Sequence, residues 1–405
     1  MKKWFELALG IVTSMGGFLE VGSMATAAQA GAGFGYQLLW PILLGTICLI
    51  FLMEMAGRMA AICRHPLPAA VRERFGFNYF VIPLTAQSVV DYLVLTSEVG
   101  GMSLGLQLLT GISFQWWAVP SAILVWLLLW KGNFSWIEYG VSFLGLITVV
   151  FVVAAVKMRP EWAAGARGLA PSLPHHDKAH YWFLAVSILG ATISPFLFNF
   201  YSSGAVEDEW DEKDLGMNRA TAGLGMGFGG LISMAVLVAA ATVLHAKGIE
   251  VEKFEQVALV VSTPLGMWGY WIVGAGIFIA CLGAALELSL DTAYTYSQCF
   301  GWSWGENKSA GDATRFSSVY SLVIFLSPIL LVIGVDPMKL TMFSMALTVV
   351  ILPFIVLPFL VLMNDPQHVG EHRNGWIGNS VVFVVIIMAA VLAVVAIPLE
   401  IFGGK

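Results

Sequence analysis

The sequence of 405 residues is poor in charge: Asp, Glu, Lys and Arg make up 11% of it, whereas hydrophobic residues make up 58%. Soluble globular proteins carry roughly 25% charged residues, so the composition excludes an ordinary water-soluble fold. The formal net charge of −6 offers no basic surface to a nucleic acid. The composition therefore predicts an integral membrane protein that has the lipid bilayer as its solvent and no nucleic-acid partner.

Cysteine is also scarce, and its spacing excludes the usual cysteine-based sites. The four cysteines have no C-x-x-C spacing, so we interpret them as small packing residues rather than zinc ligands or a disulfide framework. The sequence also lacks a recognisable nucleophile–base pair and a nucleotide-binding loop. We therefore expect no enzymatic activity, no catalytic residues and no resident cofactor.

Long apolar segments fill the chain. A helix that crosses a bilayer needs about 20 mostly apolar residues. Eleven segments meet this requirement and are numbered here as spans 1 to 11: 5–27, 37–57, 79–110, 114–130, 135–156, 181–204, 221–246, 266–299, 317–334, 338–363 and 376–402. The connecting loops are short, so the sequence predicts one all-α transmembrane domain over residues 1–405.

The loop charges predict an orientation. With the N-terminus inside, the 20 Lys and Arg residues divide into twelve on the inner side and eight on the outer side. Positive residues favour the cytoplasmic side of a membrane. We expect a protein of the plasma (inner) membrane with a cytoplasmic N-terminus and an external C-terminus, and the sequence leaves its oligomeric state open.

Two spans contain interruptions near mid-membrane. Glu20 in span 1 is a carboxylate flanked by glycines, and a charge at bilayer depth costs at least ~2.5–3.5 kcal/mol, so such residues usually mark ion paths. Pro195 disrupts span 6 because it lacks a backbone N–H. Paired interruptions predict an inverted-repeat transporter with repeats at 1–157 and 181–363 (spans 1–5 and 6–10) and an extra helix at 376–402.

Several motifs resemble those of the Nramp divalent-metal transporters. They are the segment 29–36 (Gln-Ala-Gly-Ala-Gly-Phe-Gly-Tyr) after the first interruption, Ser97-Glu98-Val99-Gly100 in span 3, and Gly190-Ala191-Thr192 before the second interruption. The resemblance implies a leucine-transporter-type fold with broken spans 1 and 6. It also implies secondary transport of a divalent cation by alternating access, with the cation as substrate.

The metal-site motifs of that family are altered here. Where the family has Asp-Pro-Gly-Asn the chain has Glu20-Val21-Gly22-Ser23, and where it has Met-Pro-His the chain has Ser194-Pro195-Phe196. The predicted metal ligands are the side chains of Glu20, Ser23 and Ser194 and the carbonyls of Val21 and Ile193, with Gly22 and Pro195 at the helix breaks. Oxygen ligands without a thioether suit hard cations, so Mg²⁺ is favoured and Mn²⁺ is next.

Other acidic residues are predicted to line the ion pathway. Glu98 lies deep in span 3, while Glu287 and Asp291 lie four residues apart on one face of span 8. The latter two form either a second acidic step or part of a wet vestibule. Asp91 lies nearer the start of span 3 and is interpreted as interfacial.

Proton coupling and two other functions remain open. The family's span 6 histidine and span 9 arginine are associated with proton movement, and here Phe196 replaces the first and 317–327 contains no arginine. Strict proton coupling is therefore not expected. One alternative is transport of an amino acid or another organic solute by the same fold. The other is a membrane sensor or partner subunit that does not transport.

Overall fold

The computed structural model describes residues 20–131, 140, 143, 145–174, 176–306 and 308–402. Within these ranges the regular structure is entirely helical, as predicted. The α-helices are α1 (Val21–Phe34), α2 (Leu39–Cys63), α3 (Leu67–Phe75), α4 (Phe77–Thr110), α5 (Phe114–Lys131), α6 (Val150–Lys157), α7 (Trp162–Gly168), α8 (Lys178–Thr192), α9 (Pro195–Glu207), α10 (Leu215–Val243), α11 (Glu255–Leu265), α12 (Met267–Phe300), α13 (Thr314–Leu326), α14 (Pro328–Val332), α15 (Pro337–Asn364), α16 (Pro366–Val369) and α17 (Trp376–Phe402).

Eight helical stretches among the described residues are long and apolar enough to cross a membrane. Each coincides with one predicted span: Leu39–Cys63, Phe77–Thr110, Lys178–Glu207, Glu212–Lys247, Met267–Phe300, Thr314–Val332, Pro337–Asn364 and Trp376–Pro398. Helix α5 corresponds to the predicted span 114–130. Residues 5–19 of span 1 and most of 135–145 in span 5 lie outside the described residues. The count of eleven spans and the repeat boundaries stay predictions.

The second interruption is a short break between α8 and α9. Ile193 (φ −111°, ψ 57°) and Ser194 (φ −76°, ψ 127°) leave the helical conformation, and Pro195 is the first residue of α9. Proline suits this position because the first N–H groups of a helix have no intrahelical partner. The break thus divides a single apolar stretch, Lys178–Glu207, into two half-helices.

The described part of span 1 begins at its interruption. Glu20 has an extended conformation (φ −105°, ψ 170°), and α1 starts directly after it at Val21. Gly22 therefore lies in the first turn of a half-helix, and the residue that departs from helical geometry is Glu20. The chain thus places a carboxylate at the start of a helix, where the first N–H groups have no partner within the helix.

Helices α4 and α12 pack closely against each other in the interior, and they carry the acids predicted to line the ion pathway. They run antiparallel and approach closely, since a Cβ on Gly105 of α4 would lie 2.7 Å from the Gly274 carbonyl oxygen of α12. Further along the pair, Gly101 faces Cys281 in the same way. This packing sets the register that aligns the acidic residues of the two helices.

Candidate cation site

Glu20 is a buried carboxylate without a hydrogen-bond partner. Its side chain is 1% exposed, and neither Oε1 nor Oε2 accepts a hydrogen bond from the described part of the chain. A buried ionised carboxylate is very costly unless a cation, a proton or several donors compensate it. Both oxygens are therefore available to a cation.

Glu98 holds the start of α1 in place. It is fully buried in α4, and its Oε2 accepts a hydrogen bond from the backbone N–H of Val21 at 3.2 Å. The N-terminus of a helix carries a partial positive charge, so a carboxylate there is favourable. The other oxygen, Oε1, has no hydrogen-bond partner among the described residues. Glu98 thus fixes the half-helix with one oxygen and leaves the second one available.

Three acids surround the interruption in span 1. Among the described residues, Glu98 and Glu287 are the acidic side chains within electrostatic range of Glu20. Like charges in a low-dielectric interior repel strongly unless a cation or protons lie among them. Within the described ranges, however, no three His, Cys, Asp or Glu side chains converge closely enough to hold one ion. A cation at Glu20 must therefore take further ligands from the backbone or from other side chains.

The break in span 6 supplies a free carbonyl. The Ile193 carbonyl accepts no hydrogen bond from the described residues, because the helix ends there and α9 begins two residues later. Val21 differs: it is the first residue of α1, so its carbonyl is engaged in regular helical bonding. Of the two carbonyls predicted as ligands, the geometry favours Ile193.

The two predicted serine ligands bond to their own backbone. The Ser23 hydroxyl donates to the Glu20 carbonyl at 2.9 Å, and the Ser194 hydroxyl donates to the Gly190 carbonyl at 3.0 Å. Both side chains are buried. Each hydroxyl uses its single hydrogen in this way, so its oxygen can present a lone pair to a cation.

Met345 of α15 lies against the start of α1 and against α8, and no pattern in the sequence indicated it. A Cβ built on Gly22 would lie 2.6 Å from Met345 Sδ, while the Met345 carbonyl packs directly against Gly190 of α8. Met345 is fully buried and is one of 17 methionines in the chain. Composition alone could not distinguish Met345 from the other methionines. The structure thus places a thioether beside the start of α1, whereas the sequence predicted a site without one.

Glu287 and Asp291 belong to different groups, although they share one face of α12. Glu287 is half-buried near Glu20, whereas Asp291 is fully buried and accepts a hydrogen bond from Gln87 of α4 at 3.3 Å. Asp91 lies within electrostatic range of Asp291 and is 5% exposed. Asp91 is therefore buried inside the helix bundle, and its interfacial depth in the membrane stays a prediction.

Comparisons with known proteins agree with this arrangement. The family model described as "Natural resistance-associated macrophage protein-like" (Nramp) matches residues 10–398. The divalent metal cation transporter MntH of Deinococcus radiodurans is 31% identical over 242 residues, which cover 58% of this chain and 55% of that protein. The chain thus matches little more than half the length of this relative.

Solved structures show the same fold. A crystal structure of a manganese transporter from Eremococcus coleocola has a TM-score of 0.76 at 18% identity, covering 98% of this chain and 88% of the other. Mhp1, a nucleobase-cation-symport-1 family transporter, has a TM-score of 0.66 at 13% identity, covering 97% and 92%. These likenesses confirm the predicted leucine-transporter-type fold. The relatives are named as transporters, in agreement with the expectation of no enzymatic activity.

Proposed function

The chain belongs to the Nramp family, and from that premise we propose that it carries a divalent metal cation across the membrane by alternating access. The observation that carries this proposal is the pair of unpartnered, buried carboxylate oxygens of Glu20 at the start of a half-helix. Broken helices near mid-membrane are where transporters of this architecture bind ions. The cation is the substrate here and not a resident cofactor.

Each residue of the site has a distinct role in this proposal. Glu20 supplies the negative charge, and the Ile193 carbonyl supplies a neutral oxygen from the opposite half-helix. Ser23 and Ser194 contribute hydroxyl oxygens when the cation draws them inward. Glu98 keeps α1 in position through Val21, so movement of α1 during the transport cycle is coupled to a carboxylate on α4.

Mn²⁺ is the first candidate for the cation and Mg²⁺ the second. The sequence argument for Mg²⁺ depended on the absence of a thioether, and Met345 supplies one from α15. Soft thioether ligands favour transition metals over Mg²⁺. The names of the relatives point in the same direction, since one is a divalent metal cation transporter and another a manganese transporter.

We also propose that transport does not require a proton gradient and that the N-terminus is cytoplasmic. Phe196 is buried at the position of the family's histidine and offers no group for proton transfer. The segment between α2 and α4, which includes α3, carries Arg64, Arg72 and Arg74, and these charges favour the cytoplasmic side for that end of the bundle.

Flux into proteoliposomes tests the proposal. We expect uptake of Mn²⁺, slower uptake of Mg²⁺, no uptake of amino acids, and similar rates with and without a pH gradient. Glu20→Gln keeps the size of the side chain but removes its charge, and it should abolish cation uptake. Asp336→Asn is the matched control, because Asp336 only caps α15 at the surface. Uptake of an amino acid without cation flux, or full cation uptake by Glu20→Gln, would overturn the assignment.

A further inference from the structure

We propose that Asp91 and Asp291 form a second divalent-cation station, which receives the ion on the α4 N-terminal side of Glu20. This inference rests on the proposed function and extends it, because the second station lies outside the motifs of the family resemblance. It starts from two acids that α4 and α12 bring together in the interior, away from the helix breaks.

Gln87 lies between the two acids in the register of the helices. Its amide nitrogen donates to Asp291 Oδ2 at 3.3 Å, and Asp91 follows four residues later on the same face of α4. Its amide oxygen accepts a hydrogen bond from the Asn199 side chain at 3.3 Å. Asn199 belongs to α9, the half-helix that begins at the break in span 6. Three helices therefore contribute polar side chains to one point.

Several oxygens at this point have no hydrogen-bond partner within the described ranges. They are Asp291 Oδ1, Asn199 Oδ1 and Thr295 Oγ1, on side chains that are at most 3% exposed. Gln87, Asn199 and Thr295 also line one small cavity, which neither aspartate lines. Buried polar atoms are rarely left unpaired, and each such group calls for an explanation such as a bound ion or water. The unpaired oxygens of Asp291, of Thr295 four residues later on α12, and of Asn199 are the groups that a cation would satisfy.

The charge of the group matches a divalent cation. Two ionised carboxylates in a low-dielectric interior repel each other, and one divalent cation neutralises both. A monovalent cation would leave one negative charge uncompensated.

The position of the station gives it a role in the pathway. Asp91 precedes Glu98 by seven residues of α4, which is about 10 Å along the helix axis. Asn199 follows Ser194 by five residues of α9, or about 7 Å in the same direction. An ion that leaves Glu20 would meet Asp291 and Asp91 before it reaches the end of α9, where the segment 207–212 (Glu-Asp-Glu-Trp-Asp-Glu) is strongly acidic. The second station shortens the distance over which the ion crosses the interior unpaired.

Equilibrium binding of Mn²⁺ to the purified full chain tests the second station. The measurement uses a variant whose cation site at Glu20 has been removed. We expect Glu20→Gln to retain one bound Mn²⁺, and we expect Glu20→Gln combined with Asp291→Asn or with Asp91→Asn to lose at least nine-tenths of that binding. Glu20→Gln combined with Asp336→Asn is the matched control and should retain the bound ion. Size-exclusion profiles and thermal melts establish that each variant is folded.

The outcomes separate the second station from the proposed function. If Glu20→Gln binds no Mn²⁺, or if both double variants still bind it, the acids at 91 and 291 are only a hydrogen-bonded pair that shares protons and the inference is wrong. If Glu20→Gln binds one ion as expected but the wild-type protein moves no cation in proteoliposomes, the station stands and the proposed transport function fails.

Discussion

The carboxylate of Glu98 accepts a hydrogen bond from the backbone N–H of Val21 at 3.2 Å, across 77 positions of sequence. The acceptor lies in the middle of a long helix, α4, and the donor is the first residue of a half-helix, α1. A buried helix start needs acceptors for its N–H groups. This bond therefore couples the backbone at Glu20 to the helix that carries both Glu98 and Asp91.

The first prediction separates the charge of Glu98 from its role as an acceptor. Glu98→Ala leaves the Val21 N–H buried and unpaired, which should lower the free energy of unfolding by roughly 1–3 kcal/mol. Glu98→Gln retains an acceptor oxygen and should keep most of that stability while it reduces cation uptake. Thermal unfolding and proteoliposome flux measure the two effects. Equal stability of the Ala and Gln variants would show that the bond to Val21 contributes nothing.

The second prediction concerns the thioether of Met345 beside the candidate cation site at Glu20. Met345→Leu keeps the volume and the burial of the side chain but removes the sulphur, so Mn²⁺ affinity should fall by about tenfold or more while Mg²⁺ affinity changes little. Competition binding with the two cations measures this selectivity. Met363→Leu is the matched control, since Met363 is a fully buried methionine near the other end of the same helix. An unchanged ratio of Mn²⁺ to Mg²⁺ affinity would exclude Met345 as a ligand.

The third prediction compares two glycines of α1. A Cβ on Gly31 would collide with the Leu237 carbonyl of α10 and lie 2.8 Å from the Ala240 Cβ, whereas a Cβ on Gly33 would meet nothing within 4 Å. Gly31→Ala should therefore destabilise the protein by about 1–3 kcal/mol through overpacking. Gly33→Ala should be neutral or stabilise it by about 0.5–1 kcal/mol, because glycine weakens a helix interior. Thermal melts of the two variants check the contrast, and similar melting temperatures would contradict the tight contact between α1 and α10.

The fourth prediction is a pH dependence at the surface, outside the membrane-spanning helices. The pKa of Asp365 is held below its usual value, first by the Gln367 backbone N–H at 2.9 Å and further by Arg74 and His368. A carboxyl whose pKa is lower in the folded state stabilises the fold above its unfolded pKa and loses that contribution as the pH falls through its folded pKa.

Thermal unfolding measured between pH 5 and pH 2 tests this contribution. The wild-type protein should lose more stability over this interval than Asp365→Asn, whose side chain does not titrate. Asp312→Asn alters an exposed acid of another loop and should follow the wild-type curve. Parallel curves for the wild type and Asp365→Asn would mean that folding does not lower the pKa of Asp365.

The sequence predicted the helical fold far better than it predicted which residues form the cation site. Apolar runs and proline positions are local signals, so the spans and the break at Pro195 followed directly from them. Glu20 was identifiable because a charge in an apolar segment is conspicuous. Met345 was not, because a methionine in an apolar helix has the same pattern whether it packs against lipid or lies beside a helix break.

The sequence by itself determined that this protein spans a membrane, where its helices lie, and that Glu20 and Glu98 lie within them, because hydrophobicity and helix-breaking residues act locally. Only the tertiary structure decided how those acids are grouped. Glu287 and Asp291 share one face of α12, yet the antiparallel register of α4 against α12 assigns the first to Glu20 and the second to Asp91. The reason is physical: electrostatic pairing depends on distances across helices, and those distances are set by the close packing of glycines such as Gly105.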